Sequence, residues 1–203
     1  MTGIFASLGF WGHGAVGFLY AVLAIWLFQQ YGLGNRQRTL LIAALATTAG
    51  WGMTIFMVGP VGFPAMLAET ARNCVWLGFL FALHRSVETL EQPRTTTLLY
   101  GALLLVLLLQ PVFDFAILYA NAQGGSAAAV EQSAQLLRMI FAIGAVVLVH
   151  NLYTGAAPEA RWGVSLPMAA LAAMWMYDLN LYTIAYLSET RALELIADRK
   201  SVV

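Results

Sequence analysis

Six stretches of this chain are as long as an apolar helix must be to cross the hydrocarbon core of a bilayer, roughly 20 residues. They cover residues 8–31, 39–58, 63–84, 97–120, 134–153 and 162–188. Helix breakers lie between them, at residues 32–37 and 59–62, at Pro93, at Gly124 with Gly125, and at residues 155–158. The period-two alternation that marks the strands of a transmembrane barrel is missing. The expected fold class is therefore all-α, a polytopic transmembrane helix bundle with six spanning helices. Only 10% of the residues are charged and 61% are hydrophobic, against roughly a quarter charged in an ordinary soluble domain. Such a chain has too little polar surface to coat a water-soluble globule. Residues 1–203 read as a single transmembrane helical domain whose surroundings are the lipid bilayer. Residues 189–203 are mixed in charge and too short to span, so they read as a loop or the start of a next helical segment.

Ten Lys and Arg balance ten Asp and Glu, which removes the basic excess that nucleic acid would require and the acidic excess of a solvating tail. Cys74 stands alone, and no Cys or His cluster has the spacing of a metal site. Because the first basic residue, Arg36, follows the first apolar stretch, the basic start of a secretory signal peptide is missing. The first segment is expected to stay in the mature protein. Arginine placement sets the orientation, since cytoplasmic connections hold the positive excess. Arg36 and Arg38, Arg85 and Arg94, and Arg161 follow the first, third and fifth segments, whereas the connections after the second and fourth hold none. This puts the N-terminus outside. Residues 189–203 then also fall outside, where Arg191, Arg199 and Lys200 are offset by Glu189, Glu194 and Asp198. Trp11, Tyr31 and Trp162 lie near segment ends, where interfacial aromatics belong.

Ionisable groups inside a bilayer are expensive, so they carry the functional information. At a rise of about 1.5 Å per residue, Glu69 and Arg72 sit roughly 9 and 13 Å inward from the outer end of the third segment. Arg138 lies early in the fifth segment; Asp114 and Asp178 lie late in the fourth and sixth; His13 lies early in the first. All reach the outer half in the orientation above. Tyr177, Asn180 and Tyr182 flank Asp178, with Tyr182 one helical turn away. The set Glu69, Arg72, Asp114, Arg138, Tyr177, Asp178, Tyr182 and His13 reads either as charges that neutralise one another within the fold or as a polar cluster that answers a ligand. Glu69 and Arg72, three residues apart, suit an internal ion pair. The glycines around His13, namely Gly12, Gly14 and Gly17, suit close helix packing.

No cofactor is expected. His84 and His150, at the inner ends of the third and fifth segments, lack any further haem signature. The only lysine, Lys200, lies outside every spanning segment, which removes an intramembrane Schiff base to retinal. Phosphate-cradling loops, zinc helices and nucleophile elbows are likewise missing. These 203 residues are read as non-enzymatic.

Three local patterns carry a family resemblance. The third segment reads Glu69-Thr-Ala-Arg72-Asn-Cys-Val-Trp76-Leu-Gly-Phe-Leu80. The fifth ends His150-Asn-Leu-Tyr153, followed by Pro158-Glu-Ala-Arg161-Trp162. The sixth holds Tyr177-Asp-Leu-Asn-Leu-Tyr182. Together they resemble the N-terminal membrane region of the sensor histidine kinases of the PEP-CTERM and exosortase system of bacteria. Departures are Asn151 before Leu152, and a loop that begins Thr154-Gly155 in place of a basic residue. The resemblance implies signal input to a two-component system in the bacterial inner membrane. Which stimulus is read is not implied; the expected partners are a small or membrane-derived stimulus of unknown identity and a second copy, as a homodimer through a kinase region that these residues do not include.

Three functions therefore compete: a membrane sensor domain, a small transporter or channel, and a structural membrane subunit. A conduit needs polar groups through the inner half as well, and there the segments offer little beyond Gln110, His84 and His150. That asymmetry favours the sensor. The arginine pattern predicts that reporter fusions after Arg38, Glu91 and Pro158 report cytoplasm, and that fusions near Gly62 and Gly125 report the outside. An inverted pattern would remove the outer-half cluster.

Overall fold

The computed structural model describes the backbone of residues 2–60, 62–87, 94–124, 126–156 and 158–201, and the side chains of residues 11–60, 62–86, 95–124, 126–156, 161 and 165–188. The described chain is all-α. Six helices follow one another: α1 (Thr2–Tyr31), α2 (Arg36–Val58), α3 (Phe63–Val87), α4 (Arg94–Ala122), α5 (Ala128–Gly155) and α6 (Pro158–Ser201). Four of them contain segments long and apolar enough to cross a membrane: Trp11–Tyr31, Arg36–Val58, Thr95–Ala122 and Ala128–Gly155. The chain divides into two compact three-helix units, Met1–Gln92 and Pro93–Val203.

In the first unit α2 packs on both α1 and α3; in the second α5 packs on both α4 and α6. Local chemistry sets the helix ends. Gly32, Gly59 and Gly124 adopt positive φ, of 60°, 83° and 70°, a region that costs a side-chain-bearing residue free energy and costs glycine little. Asn35 caps α2 by accepting from the Arg38 N–H at 2.9 Å. The Arg38 guanidinium reaches back to donate to the Tyr31 carbonyl at 3.2 Å and lies 5.1 Å from the centre of the Tyr31 ring. Arg161 treats the end of α5 similarly, donating to the carbonyls of Thr154 and Ala156, each at 2.9 Å. A cation on a helix C-terminus is favoured by the helix dipole.

Every helix extends beyond its apolar stretch, α5 and α6 for reasons visible in the sequence. α5 begins at Ala128, six residues before the apolar stretch, because polar Glu131, Gln132 and Ser133 remain good enough helix residues to extend it. α6 continues through residue 188 to Ser201. The stretch read as a loop or the start of a next helical segment is rich in Ala, Leu, Glu and Arg and holds no Gly or Pro to stop a helix. Trp162 lies outside the described side chains.

Apolar side chains gain nothing by leaving lipid for protein, so helix contact in a membrane rests on close packing. The α1–α2 contact shows how. A Cβ on Gly17 would lie 3.0 Å from the Met53 nitrogen and 3.2 Å from the Ala49 oxygen; one on Gly52 would lie 2.9 Å from the Gly17 nitrogen and 3.0 Å from the His13 oxygen. The two backbones touch. Substituting valine at Gly52 is expected to lower the stability of the detergent-solubilised protein by about 1–3 kcal/mol, the usual cost of overpacking. Gly50 faces open space, so Gly50→Ala should leave stability unchanged or raise it by up to about 1 kcal/mol. Thermal melts followed by circular dichroism check both, and equal melting of the two variants would contradict the contact.

Candidate functional site

Each unit carries buried polar chemistry centred on its middle helix. In the first unit Trp51 of α2 lies between residues of both neighbours. His13 of α1 meets its ring edge-on, with centroids 5.4 Å apart and planes at 89°. The Arg72 guanidinium of α3 lies 4.1 Å from the ring centroid. An arginine over an indole is worth about 0.5–1 kcal/mol in water and about 2 kcal/mol or more once desolvated. Arg72 is 1% exposed, so the larger figure applies. Its Nε and Nη2 also donate to the side-chain oxygen of Asn73, at 3.4 and 3.2 Å. Glu69, half-buried, lies one turn before Arg72 on α3.

One turn beyond Arg72, Trp76 donates from its indole nitrogen to the Thr48 hydroxyl at 2.9 Å, and Thr48 donates in turn to the Ala44 carbonyl at 2.7 Å. Both side chains are buried. This relay sets how α3 is rotated against α2, and with it the placement of Arg72 over Trp51.

In the second unit Asp114 of α4 and Arg138 of α5 form an ion pair, Arg138 Nη2 donating to Asp114 Oδ1 at 2.5 Å. Side-chain exposure is 1% for the acid and 11% for the base. Gln110, one turn before Asp114, is buried too, and its amide nitrogen has no hydrogen-bond partner among the described residues. Pro111 separates them inside α4. Proline has no N–H to give the carbonyl one turn earlier, so the backbone ladder is already interrupted beside these polar side chains. One turn along α5 from Arg138, Phe141 packs edge-on against Trp175 of α6, at 6.0 Å and 87°. The buried line of α6 continues Met168, Leu171, Trp175, Asp178, spaced three and four residues apart as one helix face requires.

Five of the eight residues singled out from the sequence thus have described partners or deep burial: His13, Arg72, Asp114, Arg138 and Asp178. Tyr182 is half-buried on the face of Asp178. Tyr177 departs from the sequence reading. It is 63% exposed, because one residue along a helix turns about 100° away from the face of its neighbour. Four contributors were missed: Trp51, Asn73, the Thr48–Trp76 relay and Gln110 as a member of the Asp114 cluster. A lone tryptophan between Gly50 and Gly52 in mid-helix was the available signal for the first. Among the described residues no group of three His, Cys, Asp or Glu is placed to hold a metal ion.

Comparison with protein-family models, with curated proteins and with solved structures gives no match.

Removing one partner of a buried ion pair leaves a charge without its counter-charge, typically at about 3–5 kcal/mol. Asp114→Asn and Arg138→Gln should each destabilise the solubilised protein substantially. The double variant Asp114→Leu with Arg138→Met should recover most of that loss. Additive losses in the double variant, read by thermal or denaturant unfolding, would show that the pair contributes no coupling.

Proposed function

We propose that the chain is the signal-input domain of a two-component sensor in a bacterial inner membrane, with six spanning helices, the N-terminus outside, and the polar cluster in the outer half. Counting α3 and α6 as spans is part of this reading. The observation that carries it is the burial of Arg72, Asp114 and Asp178 in a chain that is 61% hydrophobic. Ionisable side chains are kept in such surroundings where they answer something: a ligand, an ion or a change of state. The motifs around Glu69 to Leu80, Tyr153 to Trp162 and Tyr177 to Tyr182 support the sensor-kinase family as the setting.

The mechanism needs two arrangements of packed helices that a stimulus favours unequally. The arginine–indole stack and the ion pair supply contacts of that kind, since each joins two helices and each is lost by a small displacement. A stimulus that competes for Arg72 or Asp178 alters helix placement, and a helix shift of about 1–2 Å is enough to carry a signal across a membrane domain.

Two measurements test the reading. An in-frame region after codon 203 with a phosphoacceptor histidine and an ATP-binding core supports it, whereas a stop codon at that point overturns input in cis. In cells carrying the whole gene, Asp178→Asn should fix output high or low while membrane protein level stays normal. Output that falls only in proportion to protein level would reduce Asp178 to a structural role.

A further inference from the structure

The second unit holds a cavity of about 400 Å³ that the polar cluster does not use. It lies between the end of α5 and the start of α6, and its size falls in the roughly 300–1,000 Å³ range of ligand sites. Its walls are graded along the helices. Near the α5–α6 connection they present His150, Tyr153 and Ser165; farther along they are apolar, with Val146 of α5 facing Met168 and Ala172 of α6. Small side chains on α6 open the apolar part. A groove with hydrogen-bonding groups at one end and hydrocarbon at the other matches an amphiphile, with the head at the connection and the tail toward the middle of the helices.

Charge at the polar end fixes the kind of head. The Arg161 guanidinium is held by the carbonyls of Thr154 and Ala156, just past Tyr153 of the cavity wall. Among the described side chains of α5 and α6 beyond Phe141 the one acid is Asp178, thirteen residues and about 20 Å of helix from Ser165. Among the described side chains the polar end is thus complementary to an anion. We infer that this groove binds one anionic glycerophospholipid of the inner leaflet, its phosphate against His150, Tyr153 and Ser165 and an acyl chain between Val146, Met168 and Ala172. The inference rests on the proposed orientation, in which the α5–α6 connection is cytoplasmic.

The test uses the purified chain in phosphatidylcholine vesicles doped with phosphatidylglycerol that carries a diazirine on one acyl chain. After irradiation, labelled peptides should concentrate on residues 146–153 and 165–172. Ala172→Leu and Ala169→Leu place side-chain carbons where the acyl chain would lie, and steric exclusion near the low end of the overpacking range corresponds to roughly a tenfold loss of occupancy. Labelling of the groove should fall by that factor in each, while labelling around Leu105 and Val112, exposed on α4, stays constant. Ala169 is itself exposed, so its variant folds even if the other does not. Groove labelling no denser than on α4, or undiminished in both variants, overturns the site. Equal labelling by a phosphatidylcholine probe overturns the anionic head. Either result together with a cytoplasmic reporter at Pro158 leaves the sensor reading intact; a reporter outside at Pro158 overturns the orientation on which both rest.

Discussion

A charge surrounded by hydrocarbon must be met by another charge, a dipole or a ring face, and this requirement organises both halves of the chain. An unmet ion at the centre of a membrane helix costs at least about 2.5–3.5 kcal/mol even on the mildest scales, comparable to a large part of the net stability of a small domain. Arg72 is met by the Trp51 face and the Asn73 oxygen; Arg138 is met by Asp114. Both solutions draw a partner from another helix or a neighbouring residue. Helix placement and charge neutralisation are thus one problem.

The middle helix of each unit solves it in a different currency. Trp51 offers α2 as a neutral surface that meets a cation and an imidazole set at a right angle to it, which fixes direction weakly and tolerates rotation. Arg138 offers α5 as a directed donor to a single carboxylate oxygen, which fixes distance tightly. Thr48 adds a third device, a hydroxyl that receives from Trp76 and passes its own hydrogen to the Ala44 carbonyl. A threonine bonded to its own helix loses no hydrogen bond by turning its lone pair to a neighbour.

Helix number and most breaks were legible because glycine and proline punctuate strongly between apolar runs, as at Gly32, Gly59 and Gly124. Ends were not, since hydropathy measures solvent preference while helix continuation follows backbone propensity; Glu131 and residues 189–201 are polar and helical at once. Partner choice was not legible either. Asp114 with Arg138, or Arg72 over Trp51, depends on which helix faces meet, and one sequence holds no record of that. Tyr177 shows the same limit within one helix: proximity in a motif suggested a shared site, and the 3.6-residue period separated it from Asp178.

The glycine contact between α1 and α2 has a kinematic consequence. Helices separated by a layer of side chains can slide, since rotamers rearrange to follow the motion. Where Gly17 and Gly52 bring the backbones together, nothing lies between them to rearrange, and axial sliding drives Cα atoms and carbonyls into each other. Pivoting about the touching point remains open. Gly52 is the residue after Trp51, and the His13 carbonyl lies against it, so the imidazole and the indole sit at the axle of that motion, where displacement is least. The far ends of the two helices swing through the widest arc, which makes α1 and α2 a first-class lever with its fulcrum at the aromatic pair.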